Sequence, residues 1–443
     1  MTSRTFASWT LEQEARALLS RLSRVRSFAL QETMVPAASL SIEAQAAIER
    51  HLSRGRHVLK RQVQRYLDWL ASAEGRAASP ADAQRRFTLL RLRFNVVLSD
   101  LDIFSEALSQ RSEADSGVWL AGLDVVARDA LALPDFFEAP PVICYLARGP
   151  GAAIRRARTR LPAGGENPVA IIRVPRERMV GTGIASSLVH EVGHQGAALL
   201  DLVDSLRADL ALRPSECDEG AWNLLRCWIS EIVADLWSVA RLGVTATAGL
   251  IGVVSLPSAF VFRIVPDDPH PAPYVRVKLS AAMGAAMYPH QHWDKLKKLW
   301  ESFYEVERVG PQARALFQAL ESALPIFVLR LLEHRPAKLG GRSLREVLPS
   351  ADRTPQRLAE LYRVWSQRPQ LMRRAAPTLV FAVLGQARAD GELAPEREGD
   401  LLASLLRHWA WRSTVDVGEI CATTQRSAGQ KTQKVSPRIV AVG

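Results

Sequence analysis

The sequence predicts a mainly α protein with a small α+β core between helical flanks. Three observations carry this. Apolar residues recur at helical spacing through residues 1–134 and again from about Pro289. Between them, the composition changes at Pro134 and two short apolar runs appear. The 443 residues and 48% hydrophobic content provide for two or three domains with a sizeable core.

The elements follow in order. Leu18, Leu19, Leu22 and Val25 share a helical stripe within Leu11 to Leu30. Ser41, with Glu43 in the first turn, opens a helix running to about Ala73. Ser79-Pro80 with Asp82 starts a third, carrying Leu89, Leu90, Leu92, Phe94, Val97, Leu98 and Leu101, and Val118 to Leu133 forms a fourth. Val142 to Leu146 and Val169 to Val174 are strand candidates, separated by turn signals at Gly149–Gly151 and Gly164-Gly165. Two long helices are expected at Ile184–Leu212 and Glu219–Leu242, with a turn near Pro214-Ser215. Leu242 to Phe262 is uncharged and nearly long enough to span a bilayer. Its three glycines and Pro257 favour a buried helix and turn behind the preceding helices. Trp293–Val309, Pro311–Leu332 and Pro355–Gln367 complete the clearest later helices. Pro377–Arg388 and Pro395–Trp411 pair across Ala389-Asp390-Gly391-Glu392. Over about Leu379 to Trp409 this pair resembles the helical turn of TerB-like domains, with its carboxylates as turn and cap residues.

The net charge is +11 and the pI about 9.9. The excess is spread along the chain, densest at Arg155, Arg156, Arg158 and Arg160, then at Lys295, Lys297 and Lys298. No aromatics interleave with these clusters, so no nucleic-acid partner is expected. Cys144, Cys217, Cys227 and Cys421 form no C-x-x-C pair, which fits a reducing compartment. The N-terminus lacks an apolar h-region, so a cytoplasmic location is expected, non-classical export staying open.

The chemistry concentrates in His190-Glu191-Val192-Gly193-His194, an H-E-x-x-H inside a helical pattern. Histidines four apart lie about 40° from each other around a helix, so both reach one ion. Neutral imidazoles suit zinc, and Glu191 beside the first ligand can take a proton from an activated water. Gly193 and Gly196 cost a helix about 1 kcal/mol each relative to alanine, which close packing beside a metal site would justify. Downstream lies Glu231-Ile232-Val233-Ala234-Asp235, an E-x-x-A-D on an amphipathic helix, its glutamate 37 residues after His194.

H-E-x-x-H followed by E-x-x-A-D resembles the gluzincin metallopeptidases. The resemblance implies a zincin-like metalloprotease core, one Zn2+ per chain on His190, His194 and Glu231, Asp235 holding a ligand histidine, and Glu191 as general base. The segment His270-Pro271 to Arg276-Val277 resembles the H-P-x-x-x-x-R-[IV] run of HtpX-like and CAAX-processing gluzincins, without their membrane spans. It implies that His270 or Arg276 stabilises the oxyanion, with Tyr288, His290 and His292 the next candidates. In gluzincins the strand before the motif helix pairs with extended substrate, here Val169 to Val174. The resemblance covers roughly residues 165–280.

The expected organisation is a helical bundle at 1–134, a gluzincin-like catalytic domain at 135–335, a helical domain at 336–420 and a flexible tail at 421–443. The expected function is hydrolysis of peptide bonds in a peptide or protein substrate. The alternative is a binding or assembly protein retaining a zinc site, against which the intact Glu191 speaks. The oligomeric state is not legible.

Overall fold

A computed structural model describes residues 3–149, 151–162, 164–176, 182–265 and 268–433. The fold is mainly helical with one three-stranded sheet. Helices Ser3–Arg24, Ile42–Ala71 and Pro80–Ser109 pack around Leu18, Leu59, Val63, Phe87 and Leu90. Their starts obey the capping logic of the sequence. The Ser41 hydroxyl accepts from Ala44 N at 3.2 Å, and that of Ser79 from Asp82 N at 3.1 Å.

Strands β1 (Val142–Ala147), β2 (Ala153–Arg155) and β3 (Ala170–Pro175) form the sheet in the order β1-β3-β2. β3 pairs parallel with β1 and antiparallel with β2. Alternate residues of a strand point to opposite faces. Val142, Cys144, Leu146, Ala170, Ile172 and Val174 therefore enter the largest core, while Ile143, Val169 and Ile171 pack against Ile48, Leu52, Phe104 and Leu108 of the two long N-terminal helices. The outer edge of β1 is closed by side chains. Gln110 bonds both N and O of Leu146 at 2.8 Å, and the buried Arg111–Asp124 pair bonds O and N of Cys144 at 2.6 and 2.7 Å.

The expected substrate strand is thus central, not an edge. Both neighbours of β3 are occupied, and the open edge belongs to β2, whose three residues are too few to signal a strand. The expected boundaries at 134 and 335 are not followed by the packing either. One continuous core runs from Leu120 to Trp409, and helix Ala114–Leu131 lies within it.

The two long helices are each interrupted. The first becomes Thr182–Leu199 and Leu202–Asp209, broken at Asp201, whose φ of 54° lies in the left-handed region. Asp tolerates that conformation through local hydrogen bonding. The second becomes Glu219–Cys227 and Ile229–Leu242, with buried Trp228 between them. Helix Val244–Val254 follows and packs on the first, Gly249 lying against Ser186. The tail expected at 421–443 stays helical to Gln433, as propagating a formed helix gains a hydrogen bond for each residue fixed. Residues 434–443 lie outside the described residues.

One helix among the described residues, Pro311–Glu333, is long and apolar enough to cross a membrane. Of its apolar window 44% is buried, with Phe317, Leu320, Phe327 and Leu331 in the core. The uncharged stretch 242–262, expected as a buried helix and turn, forms two short helices, Val244–Val254 and Ser258–Val261.

Candidate metal centre

Helices Thr182–Leu199 and Ile229–Leu242 carry the two motifs and lie in direct contact. A Cβ on Gly193 would stand 2.8 Å from Ala234 Cα, and one on Gly196 would stand 2.7 Å from the Trp237 ring. Both glycines therefore serve the close approach that their helix cost suggested. Trp237 is itself fixed, its indole N–H donating to Ala130 O at 2.9 Å.

This contact brings His190, His194 and Glu231 together, one ligand atom from each lying within 4.8 Å of the others, a group that could hold a metal ion. Nε2 of His190 is 3.2 Å from Glu231 Oε2, and Nε2 of His194 is 3.3 Å from Oε1. A tetrahedral ion with bonds of about 2.0–2.1 Å sets neighbouring ligand atoms roughly 3.3 Å apart. The donor set also asks for a cation. His190 Nδ1 lies 2.7 Å from Asp235 Oδ1, which retains the proton on that nitrogen. The Nε2 lone pair then faces a carboxylate oxygen, an arrangement that repels unless a proton or metal lies between.

The electrostatics agree. Burial disfavours charge on His190, but Asp235 and Glu231 outweigh it and raise its pKa to about 9 in the absence of metal. Burial and the neighbouring His190 push His194 down to about 4. Glu231 is brought down to about 2, since its contacts with His190, His194 and Arg276 outweigh burial. Burial, with Glu231 nearby, raises Glu191.

Arg276 lies in the first turn of helix Pro273–Met287, not in a loop. Its Nε and Nη2 grip both oxygens of Asp235 at 2.7 and 2.9 Å, and Nη2 is 3.5 Å from Glu231 Oε2. A planar fork on a carboxylate suits this bidentate task. Arg276 therefore orients Asp235 and through it His190, a different task from the oxyanion donation that the resemblance implies. His270 stands at the mouth, half exposed, with Nδ1 2.7 Å from Asp268 Oδ1 and Nε2 3.5 Å from Glu231 Oε2. The reserve candidates are elsewhere. Tyr288 is buried and donates to Ala240 O, His290 caps helix Gln291–Phe303, and His292 packs beside Gln386 and Asp390.

A cavity of about 540 Å³ opens over the group. His190, Glu191, His194, Glu231, Asp235, His270 and Arg276 all line it. One wall is apolar, from Ala246, Leu250 and Val253, so the segment expected behind the metal helices forms a side of the cleft. The opposite rim is Gly151 to Ile154 with Arg156, at β2. Sequence reasoning missed this rim, and it missed Gln195, a buried amide directly after the second histidine whose Oε1 accepts from Ala157 N at 2.7 Å. A polar residue on a helix face otherwise buried was the available signal.

No protein-family model, curated protein or solved structure matches the chain. The class defined by fold and site is a mainly helical protein with a buried His-His-Glu group able to hold a metal.

Replacing Asp235 by Asn is expected to weaken metal binding about 10–100-fold, because the amide no longer holds the His190 proton as a charged acceptor. Competition against a chromophoric chelator measures this. Unchanged affinity would remove Asp235 from the metal's support.

Proposed function

We propose that this chain is a zinc metallopeptidase of gluzincin type with a zincin-like core. The observation carrying the proposal is that Glu191 lines the same cavity as the His190, His194 and Glu231 ligand set, with Asp235 behind it. A site that only held a metal for structural reasons would not need a carboxylate there. The imidazole and carboxylate donors suit zinc, which when bound would polarise a carbonyl and bring the pKa of water towards about 7.

Glu191 accepts the proton of the attacking water and returns it to the departing amide nitrogen, so one carboxylate serves as base and then acid. His270, at the cavity mouth with Nδ1 held by Asp268, is placed to donate towards the developing oxyanion. Arg276 and Asp235 keep His190 in one tautomer and orientation. The open edge of β2 offers backbone groups to an extended peptide, and the wall of Ala246, Leu250 and Val253 receives an apolar side chain.

The deciding experiment is a fluorogenic peptide library on the zinc-loaded protein, with a chelator arm and a zinc add-back arm. Cleavage that a chelator abolishes and zinc restores is expected. Binding of zinc without cleavage of any peptide would favour a docking protein with a retained site.

A further inference from the structure

Resting on the metallopeptidase reading, the cleft's charged lining indicates a substrate class. The charged residues lining the cavity are Arg156, His190, Glu191, His194, Glu231, Asp235, His270 and Arg276. All but Arg156 belong to the metal group or to the His270–Asp268 pair. The Arg156 side chain is exposed and makes no ion pair with any described residue.

Its backbone, by contrast, is pinned on both sides. The buried Asn167 amide donates to the carbonyls of Arg155 and Arg156 at 3.2 and 3.0 Å. The buried Gln195, adjacent to His194, holds the next residue through Ala157 N. A free guanidinium is thus set at the rim by two buried amides, one of which is on the metal helix itself. The surroundings have the same sign. From Leu146 to Arg176 the chain carries seven arginines and one carboxylate, Glu166. Arg155, Arg158, Arg160 and Arg173 also lack a carboxylate within ion-pairing distance among the described residues. Among the described residues no Phe, Tyr or Trp lines the cavity to stack a base, which favours polypeptide over nucleic acid.

We propose that the cleft selects acidic polypeptide segments, with Arg156 binding a substrate carboxylate beside the scissile bond and the arginines around β2 attracting the flanking acidic residues. A planar fork of donors matches a carboxylate in two-point geometry.

The test uses full-length, zinc-loaded Glu191→Gln, which is expected to bind without cleaving, and two fluorescein-labelled decapeptides differing only in Glu against Gln near the centre. By anisotropy at low salt, the Glu peptide is expected to bind about tenfold tighter. That preference should shrink as salt screens the charges. It should vanish on adding Arg156→Ala and turn towards a Lys peptide on adding Arg156→Glu. Since the hydrogen bonds of Arg156 among the described residues are at its backbone and its side chain is exposed, both variants are expected to fold, which circular dichroism checks. Equal binding of the two peptides overturns the proposal, and cleavage of both by the unmodified chain would then leave the peptidase reading standing alone. Arg156-dependent preference without cleavage by the zinc-loaded chain upholds the recognition and overturns the peptidase reading. Tighter Arg156-dependent binding of an oligonucleotide of equal charge overturns the assignment to polypeptide.

Discussion

Glu191→Gln is expected to retain its zinc and to lose peptide hydrolysis by ~10²–10⁴ in kcat. The amide fills nearly the same space as the carboxylate and leaves His190, His194 and Glu231 undisturbed. It cannot accept the proton of the attacking water. Elemental analysis beside single-turnover kinetics separates the two effects. Wild-type turnover with normal zinc would remove Glu191 from the reaction, while loss of zinc would make it a structural support for the ligands.

Arg276→Ala is expected to destabilise the folded protein by roughly 3 kcal/mol and to weaken zinc binding as well. The guanidinium is almost wholly buried and shares both its bonds with the equally buried Asp235. Truncation leaves that carboxylate with His190 as its one side-chain partner among the described residues, and a bound metal would keep this imidazole neutral. The oxyanion role that the resemblance implies would instead give a kinetic defect with folding intact. Urea unfolding of the zinc-loaded variant decides between them. A midpoint like that of wild type, with kcat reduced, would restore the role of oxyanion donor. Arg276→Lys is expected to recover only part of the stability, because a point charge cannot bridge both oxygens.

The metal group was legible in the sequence because its spacing is local. Four residues make one helical turn, so His190 and His194 had to share a face, and Glu231 and Asp235 likewise. Gly193 and Gly196 announced a close helix contact, and the structure has it at Ala234 and Trp237. What the sequence did not show depends on pairing over long distances. Which strand is the edge is decided by the partners of β3, and three residues of β2 leave no alternation to detect. The commitment of Arg276 to Asp235 joins positions 41 apart through the packing of two helices, which no periodicity encodes. Helix ends failed for a different reason. Asp201 and Trp228 interrupt apolar patterns that continue through them, so the pattern remained helical where the backbone does not. The arginine cluster of 155–160 is visible in the sequence, but only the fold sets one of its members, Arg156, on the rim of the cleft.

The sheet's position has a consequence for how such a protein can be assembled over time. One face of the sheet is covered by the two long N-terminal helices, and the outer edge of β1 is sealed by Gln110 and Arg111 immediately after them. The N-terminal segment is therefore no interchangeable cassette. Recombination that swapped it for an unrelated domain would uncover Ile143, Val169 and Ile171 and orphan the carbonyl of Cys144 and both backbone groups of Leu146 at one stroke. The lineage of the metal-bearing helices and that of the bundle are thereby tied, and the two are expected to be inherited as one unit.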